Sequence, residues 1–302
     1  MSLSQAQNIA RGTGIGGSEI AAVLGVSPWE QAVDVFYRKR PDLAAEQGYV
    51  PREVSGDYVD FGCYVEEPVA QLYEKRTGNK VRRANVTRRH ASADWLVANI
   101  DRKVEGQRRG LEIKSVNSWW LAHLWGPDGT DEVPEYYYPQ VAQYMLVCDY
   151  PEWDLAALIG GATDFRIYHL QRDPEVDDII LETSRQFWHE NVLAGIPPAI
   201  DPHHKTAADA LRRVFTRADG EVITLSSEAA EWHERLVAAK AAAKSIKAEK
   251  EAAETWLKAA MKNAGVAHIP GVEGGYVRAK RSRKAYSVDA AEYIDFKFDK
   301  RA

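Results

Sequence analysis

The stretch Asp94–Lys114, DWLVANIDRKVEGQRRGLEIK, decides the fold. It reads as two short strands, Leu96–Val104 and Leu111–Val116, joined by a Gly-containing polar turn at Glu105, Gly106 and Gly110. Side chains alternate faces along a strand, so Leu111 and Ile113 enter a core while Glu112 and Lys114 share the opposite face. Pairing of the two strands brings Asp101 close to Glu112. Two carboxylates that close repel unless a cation lies between them, and oxygen ligands suit Mg²⁺ or Mn²⁺.

The composition admits such a site without demanding it. The 302 residues are 45% hydrophobic, ample for a sizeable core in one large domain or two. A formal net charge of −5 excludes a bulk polycation, so any nucleic-acid contact must come from local patches. Cys63 and Cys148 lack metal-ligand spacing, which argues against structural zinc and for a reducing compartment. No run approaches 18 apolar residues and the first residues hold no apolar export signal, so a cytoplasmic protein away from membranes is expected, in a host cytoplasm if phage-encoded.

Working toward the N-terminus, Arg11-Gly12-Thr13-Gly14-Ile15-Gly16-Gly17-Ser18 opens into a short helix, Glu19–Leu24, with Ser18 as its N-cap. Free amides at a helix start beside a hydroxyl and Arg11 suit a phosphate, and a plain helix cap fits the same residues. A second helix, Glu30–Arg40, is closed by Pro41, and Asp42–Asp57 reads as a surface loop. From Tyr58 to Thr77 the spacing turns helical and carries Glu66. Lys80–Arg89 is strand-like and basic, with Arg82, Arg83, Arg88 and Arg89 able to track a phosphate backbone or simply to be solvated.

Beyond Lys114, Trp119, Trp120 and Trp125 could stack on bases, with core packing favoured for at least two of them. A helix then begins in the stretch Pro134–Met145, with Val141, Tyr144 and Met145 suited to burial and Gln140 and Gln143 on one face, followed by strands Trp153–Ile159 and Phe165–Leu170 and a helix over Pro174–Leu193. The alternation of helices and strands defines an α/β protein with a mixed sheet flanked by helices.

In order and spacing these pieces resemble the YqaJ-type viral recombinases, relatives of phage lambda exonuclease with the PD-(D/E)XK restriction-endonuclease-like fold. The resemblance rests on Arg11 with Ser18, Gly62-x-x-x-Glu66, Asn99-Ile100-Asp101, Glu112-Ile113-Lys114 and Tyr137-x-x-Gln140, and covers roughly residues 8–202. It implies that Asp101, Glu112 and the Ile113 carbonyl bind two Mg²⁺ ions with help from Glu66. Lys114 would orient or deprotonate the attacking water, its pKa lowered beside the metals, and Tyr137 and Gln140 would position that water or the scissile phosphate. Arg11 and Ser18 match the family's pocket for a DNA 5′-phosphate, with Arg109 and Ser118 as further candidates. The implied activity is 5′→3′ degradation of double-stranded DNA ends, leaving 3′ overhangs for a phage single-strand annealing protein. The implied assembly is a homo-oligomeric ring, a trimer favoured. An endonuclease or structure-specific nuclease would use the same site, whereas a DNA-end-binding or assembly protein would act through its helical C-terminus with the nuclease site incidental.

The expected division is a nuclease domain over residues 1–202 and an extension over 203–302. Within the extension, residues 203–216 read as a polar linker with one amphipathic turn and Glu221–Leu225 as a short strand. Ser226 or Ser227 caps a long helix reaching about Asn263, on the order of 55 Å at 1.5 Å per residue. Trp232, Leu236, Ala239, Ala243, Ile246, Lys250, Ala253, Leu257 and Ala260 follow a heptad seam along it. A basic hairpin over residues 274–288 carries Arg278, Lys280, Arg281, Arg283 and Lys284, suited to phosphate contacts, to an acidic partner or to an edge strand.

Overall fold

A computed structural model describes residues 12–52, 56–84, 86–116, 119–160, 164–216 and 220–278. The chain divides into two units, Met1–Thr216 and Arg217–Ala302. The strands of the first unit are, in chain order, β1 (Ile15–Gly16), β2 (Val81–Arg83), β3 (Arg88–Arg89), β4 (Leu96–Ala98), β5 (Arg102–Val104), β6 (Arg109–Val116), β7 (Glu152–Ile159) and β8 (Asp164–Gln171). Its helices are α1 (Gly17–Val23), α2 (Ala32–Lys39), α3 (Pro41–Gln47), α4 (Asp57–Thr77), α5 (Tyr138–Cys148), α6 (Pro174–Gln186) and α7 (Ala207–Val214).

Five strands form a mixed sheet in the order β2-β5-β6-β7-β8, with β6 and β7 parallel and the other neighbours antiparallel. The parallel pair requires a crossover, and α5 lies in it. Alternation along β6 and β7 divides the core in two. Leu111, Ile113, Ala156 and Leu158 pack with Val69, Ala70 and Tyr73 of α4 on one face. Leu155, Ala157 and Ile159 join the larger cluster of α1, α2 and α5 on the other. Glu112 and Lys114 alternate with Leu111 and Ile113 and therefore belong to the α5 face, where Gln140 meets them.

The first expected strand is broken in two. Leu96–Ala98 pairs with β1 and β3 in a separate three-stranded sheet, whereas Arg102–Val104 pairs with β2 and β6. A straight strand cannot serve both sheets, and Asn99, Ile100 and Asp101 form the bend between them. Asp101 thus sits just outside the ladder that pairs Arg102 with Leu111.

Other expected boundaries also shift. Pro41 starts α3 rather than only closing α2, because proline suits the first helical position, and Asp42 sits beside it in the first turn. Gly48, at φ +67°, ends that helix where a continuous loop was expected. The stretch expected as a linker contains α7, whose Ala210 and Val214 are buried and whose Arg213 pairs with buried Asp34 at 2.7 Å. Glu221–Leu225 forms no strand. The helix over 174–193 exists, with its last part, Phe187–Leu193, wound as a π-helix.

In the second unit, α8 (Glu228–Met261) has Ser227 at the N-cap and carries Glu228 and Glu231 in its first turn. None of its residues is buried, the seam included. A short antiparallel pair, β9 (Val266–Ala267) and β10 (Tyr276–Val277), closes the described region. Of the basic residues expected in this hairpin only Arg278 is described; Lys280, Arg281, Arg283 and Lys284 lie outside the described residues. No described helix is long and apolar enough to cross a membrane.

Candidate active site

The site is assembled from one strand, one bend and two helices. Strand β6 supplies Glu112 and Lys114, whose Nζ lies 2.6 Å from Glu112 Oε1. Gln140, in the first turn of α5, closes the triangle: its Nε2 donates to the same Glu112 oxygen at 2.7 Å and its Oε1 accepts from Lys114 Nζ at 2.9 Å. Asp101, at the bend, accepts from the Ile113 backbone N–H at 3.0 Å through Oδ2, which ties it to β6 beside Glu112. Glu66 reaches the neighbourhood from α4, close enough for the Asp101 charge to add to burial in raising its pKa.

Charge crowding is strongest at Asp101. Burial first, and the Glu112 charge second, push its carboxyl up to about 7. Burial works most strongly against the Lys114 ammonium, but the charge and hydrogen bond of Glu112, with the Asp101 and Tyr137 charges, together raise its pKa. In the metal-free chain Lys114 is therefore held as a cation and a hydrogen-bond donor. Tyr137 stands at the N-cap of α5 with its ring centroid 5.1 Å from Lys114 Nζ, its hydroxyl pKa raised by burial.

One buried atom in this cluster is left without a partner. Both donors converge on Glu112 Oε1, whereas Oε2 is buried and accepts no hydrogen bond. A carboxylate oxygen in that condition is costly to leave unmatched, and a hard divalent cation is the natural match. Among the described residues no three His, Cys, Asp or Glu side chains alone make a metal cluster. The oxygen set of Asp101, Glu112 and the Ile113 carbonyl, with Glu66 behind, still fits magnesium, which takes few carboxylates and keeps waters.

The glycine-rich segment has a packing role that spacing does not disclose. A Cβ on Gly17 would lie 2.4 Å from the Tyr144 ring, and one on Gly14 would lie 2.4 Å from Val97. Tyr144 in turn accepts from Gln140 Nε2 at 2.9 Å, so Gly17 gives room to a residue that supports the site. The sequence reading marks Tyr144 for burial, as it is found, but not as a partner of Gln140, four residues before it on one helix face. Gln143, on the expected face, is fully buried and donates to the carbonyls of Ile15 and Val97, a structural bond between α5 and two strands.

Ser18 is not the N-cap: Gly16 is, and its N–H donates to Glu19 Oε2 at 2.8 Å. Glu19 is buried and pairs with Lys39 at 2.6 Å, so a carboxylate of the chain already occupies this helix start. Ser18 lies exposed in the first turn, while Arg11 and Ser118 lie outside the described residues. Arg109 is engaged with Glu152 at 2.6 Å and Asp154 at 3.2 Å. Of the basic run, Arg83 pairs with Glu67, and Arg89 bonds the Thr13 and Asp94 carbonyls. Trp125 is core, at 4% exposure; the Trp119 and Trp120 side chains fall outside the description.

A mixed sheet whose central strand carries a carboxylate and a lysine, with a second carboxylate at the bend beside it and helices over it, is the PD-(D/E)XK architecture. LHK-Exo, an alkaline exonuclease from Laribacter hongkongensis, shares this fold with a TM-score of 0.51 and 17% identity, over 64% of this chain and 94% of that one. Its complex with dAMP matches to the same extent. The model of the YqaJ-like viral recombinase domain matches residues 8–151. YqaJ of Bacillus subtilis (strain 168) is 30% identical over 259 residues, 85% of this chain and 77% of that protein. The chain belongs to the YqaJ-like viral recombinase family.

Proposed function

We propose that the chain is a magnesium-dependent 5′→3′ exonuclease acting on double-stranded DNA ends, one half of a phage-type recombination pair. The observation that carries this is the unpartnered, buried Oε2 of Glu112 beside Asp101 and the Lys114 ammonium. Membership of a viral recombinase family and a fold shared with an alkaline exonuclease support DNA as substrate.

Asp101, Glu112 and the Ile113 carbonyl would hold the metal, two ions in the full site with Glu66 assisting, and the metal would neutralise charge on the entering and leaving oxygens. Lys114 spends two of its three N–H donors on Glu112 and Gln140, and the third orients the attacking water or a phosphoryl oxygen. Gln140 fixes both partners, and Tyr137, its ring beside the Lys114 ammonium, would help position the water or the scissile phosphate. The water oxygen bonds to phosphorus as the bond to the leaving 3′ oxygen breaks. The product is a 5′-mononucleotide, and a new 5′-phosphate end remains for the next cycle. Arg11 and Ser18 would hold that end. A ring-shaped homo-oligomer, a trimer favoured, and transfer of the 3′ overhang to a single-strand annealing protein complete the proposal.

Digestion of a linear duplex labelled separately at its 5′ and 3′ ends, with a closed circle beside it, tests polarity. Early release of 5′ label in Mg²⁺, favoured by a 5′-phosphate, with the circle intact, is expected. Cutting of the circle would make the enzyme an endonuclease.

A further inference from the structure

Next to Lys114 the aromatic side chains form a row that leads from the core to the surface. Trp125 anchors its inner end, its ring 5.4 Å from Tyr137. The Tyr137 ring lies 5.1 Å from Lys114 Nζ, 4.6 Å from Tyr136 and 5.8 Å from Trp29. Tyr136 meets Trp29 edge to face at 4.7 Å. The Trp29 side of the row is open to water, with Trp29 43% exposed.

Trp29 is fixed by its backbone rather than by burial of its ring. Its N–H donates to Ser27 Oγ at 3.2 Å, and its carbonyl accepts from Arg52 at 2.8 Å. An indole whose backbone is tied down, which meets Tyr136 edge to face and is left partly exposed one ring away from Lys114, is placed to receive a flat apolar surface. Nucleobases offer that surface, and stacking on it is tolerant of sequence because every base has a π-face.

We propose that Trp29, braced by Tyr136, is a stacking platform for a nucleobase of the strand whose phosphate lies at Lys114. This rests on the nuclease function proposed above. It adds a binding residue that reads no sequence and holds a base near the strand end after that base has left its partner.

The test uses the full chain carrying Glu112→Gln, which stops hydrolysis, and measures binding of 5′-phosphorylated duplexes that are intact or abasic at the first, second or third 5′ position. Trp29→Leu should weaken binding of the intact duplex by about tenfold. At one position the abasic duplex should bind the Trp29 protein equally weakly, and there Trp29→Leu should cost nothing more. Trp29→Phe, which keeps a ring, should remain within about threefold, and its melting curve separates stacking from folding. Equal losses on intact and on every abasic duplex, or no loss at all, would overturn the platform. The unmutated chain is assayed for Mg²⁺-dependent cleavage in parallel. Cleavage without the expected non-additivity sinks the platform alone, and absence of both cleavage and DNA binding sinks the nuclease function with it.

Discussion

Gln140 Nε2 donates at 2.7 Å to the same oxygen of Glu112 that Lys114 Nζ contacts at 2.6 Å. One amide thus holds the carboxylate and, through its own oxygen, the ammonium, leaving Glu112 Oε2 available to a cation. Gln140→Ala should lower kcat by roughly 10- to 100-fold with KM little changed, because it loosens the geometry of the reacting groups more than it removes substrate contact. Steady-state hydrolysis of a linear duplex checks this. A change confined to KM would instead make Gln140 a DNA-binding residue.

The same amide has a second tie, to Tyr144, and Tyr144 fits only because residue 17 has no side chain. Gly17→Ala should cost about 1–3 kcal/mol of stability through overpacking. It should also lower kcat at temperatures where the protein is fully folded. An unfolding curve and a rate measured well below its midpoint separate the two effects. An unchanged rate would show that Tyr144 does not act on the site through Gln140.

Asp101 contributes to the pH dependence of stability of the metal-free protein. Its pKa stands at about 7 in the folded chain, above the ordinary carboxylate value, so the folded state binds a proton that the unfolded state has released. Its contribution to stability is fully present below about pH 4 and is lost as pH rises toward 7. Asp101→Asn should therefore flatten the stability profile of the metal-free protein between those limits. Denaturation midpoints across pH in EDTA measure it, and identical profiles for the two proteins would contradict the assignment.

How much of the fold and the site is legible in the sequence depends on the range of the forces involved. Glu112 and Lys114 share a face because a strand alternates, a property of adjacent residues, and Leu111 and Ile113 declare the other face. The bend at Asn99–Asp101 is hidden because Leu96-Val97-Ala98 reads as one strand continuous with Arg102-Lys103-Val104; its separation depends on pairing with Ile15 and Gly16, far away in the chain. Gln140 enters only through family resemblance, since nothing local marks a glutamine as the partner of Glu112. The glycines near residue 17 suggest a phosphate loop, and the observed constraints are the Tyr144 ring at Gly17 and Val97 at Gly14, invisible without the fold. Helix α7 reads as a linker because its Arg213 is held by Asp34, a residue from the opposite end of the first unit's sequence.

A buried carboxylate away from the proposed chemistry provides a control. Asp154 is 1% exposed and binds the Tyr73 hydroxyl, Arg109 at 3.2 Å and His169 at 2.7 Å. Asp154→Ala strands buried polar partners and should cost about 3–5 kcal/mol of stability. The rate per folded molecule should not change. A specific loss of hydrolysis in a fully folded variant would place Asp154 in the reaction.

The most direct measurement is release of acid-soluble nucleotide from linear duplex DNA by the unmutated chain and by Glu112→Gln, each in Mg²⁺ and in EDTA. Removing the charge that the unpartnered oxygen offers a cation should abolish Mg²⁺-dependent release, by roughly 100-fold or more, on the order seen when charge stabilisation at a reacting centre is removed, while DNA binding persists. Release that survives EDTA, or that Glu112→Gln leaves intact, would contradict a metal-dependent centre built on Asp101, Glu112 and Lys114.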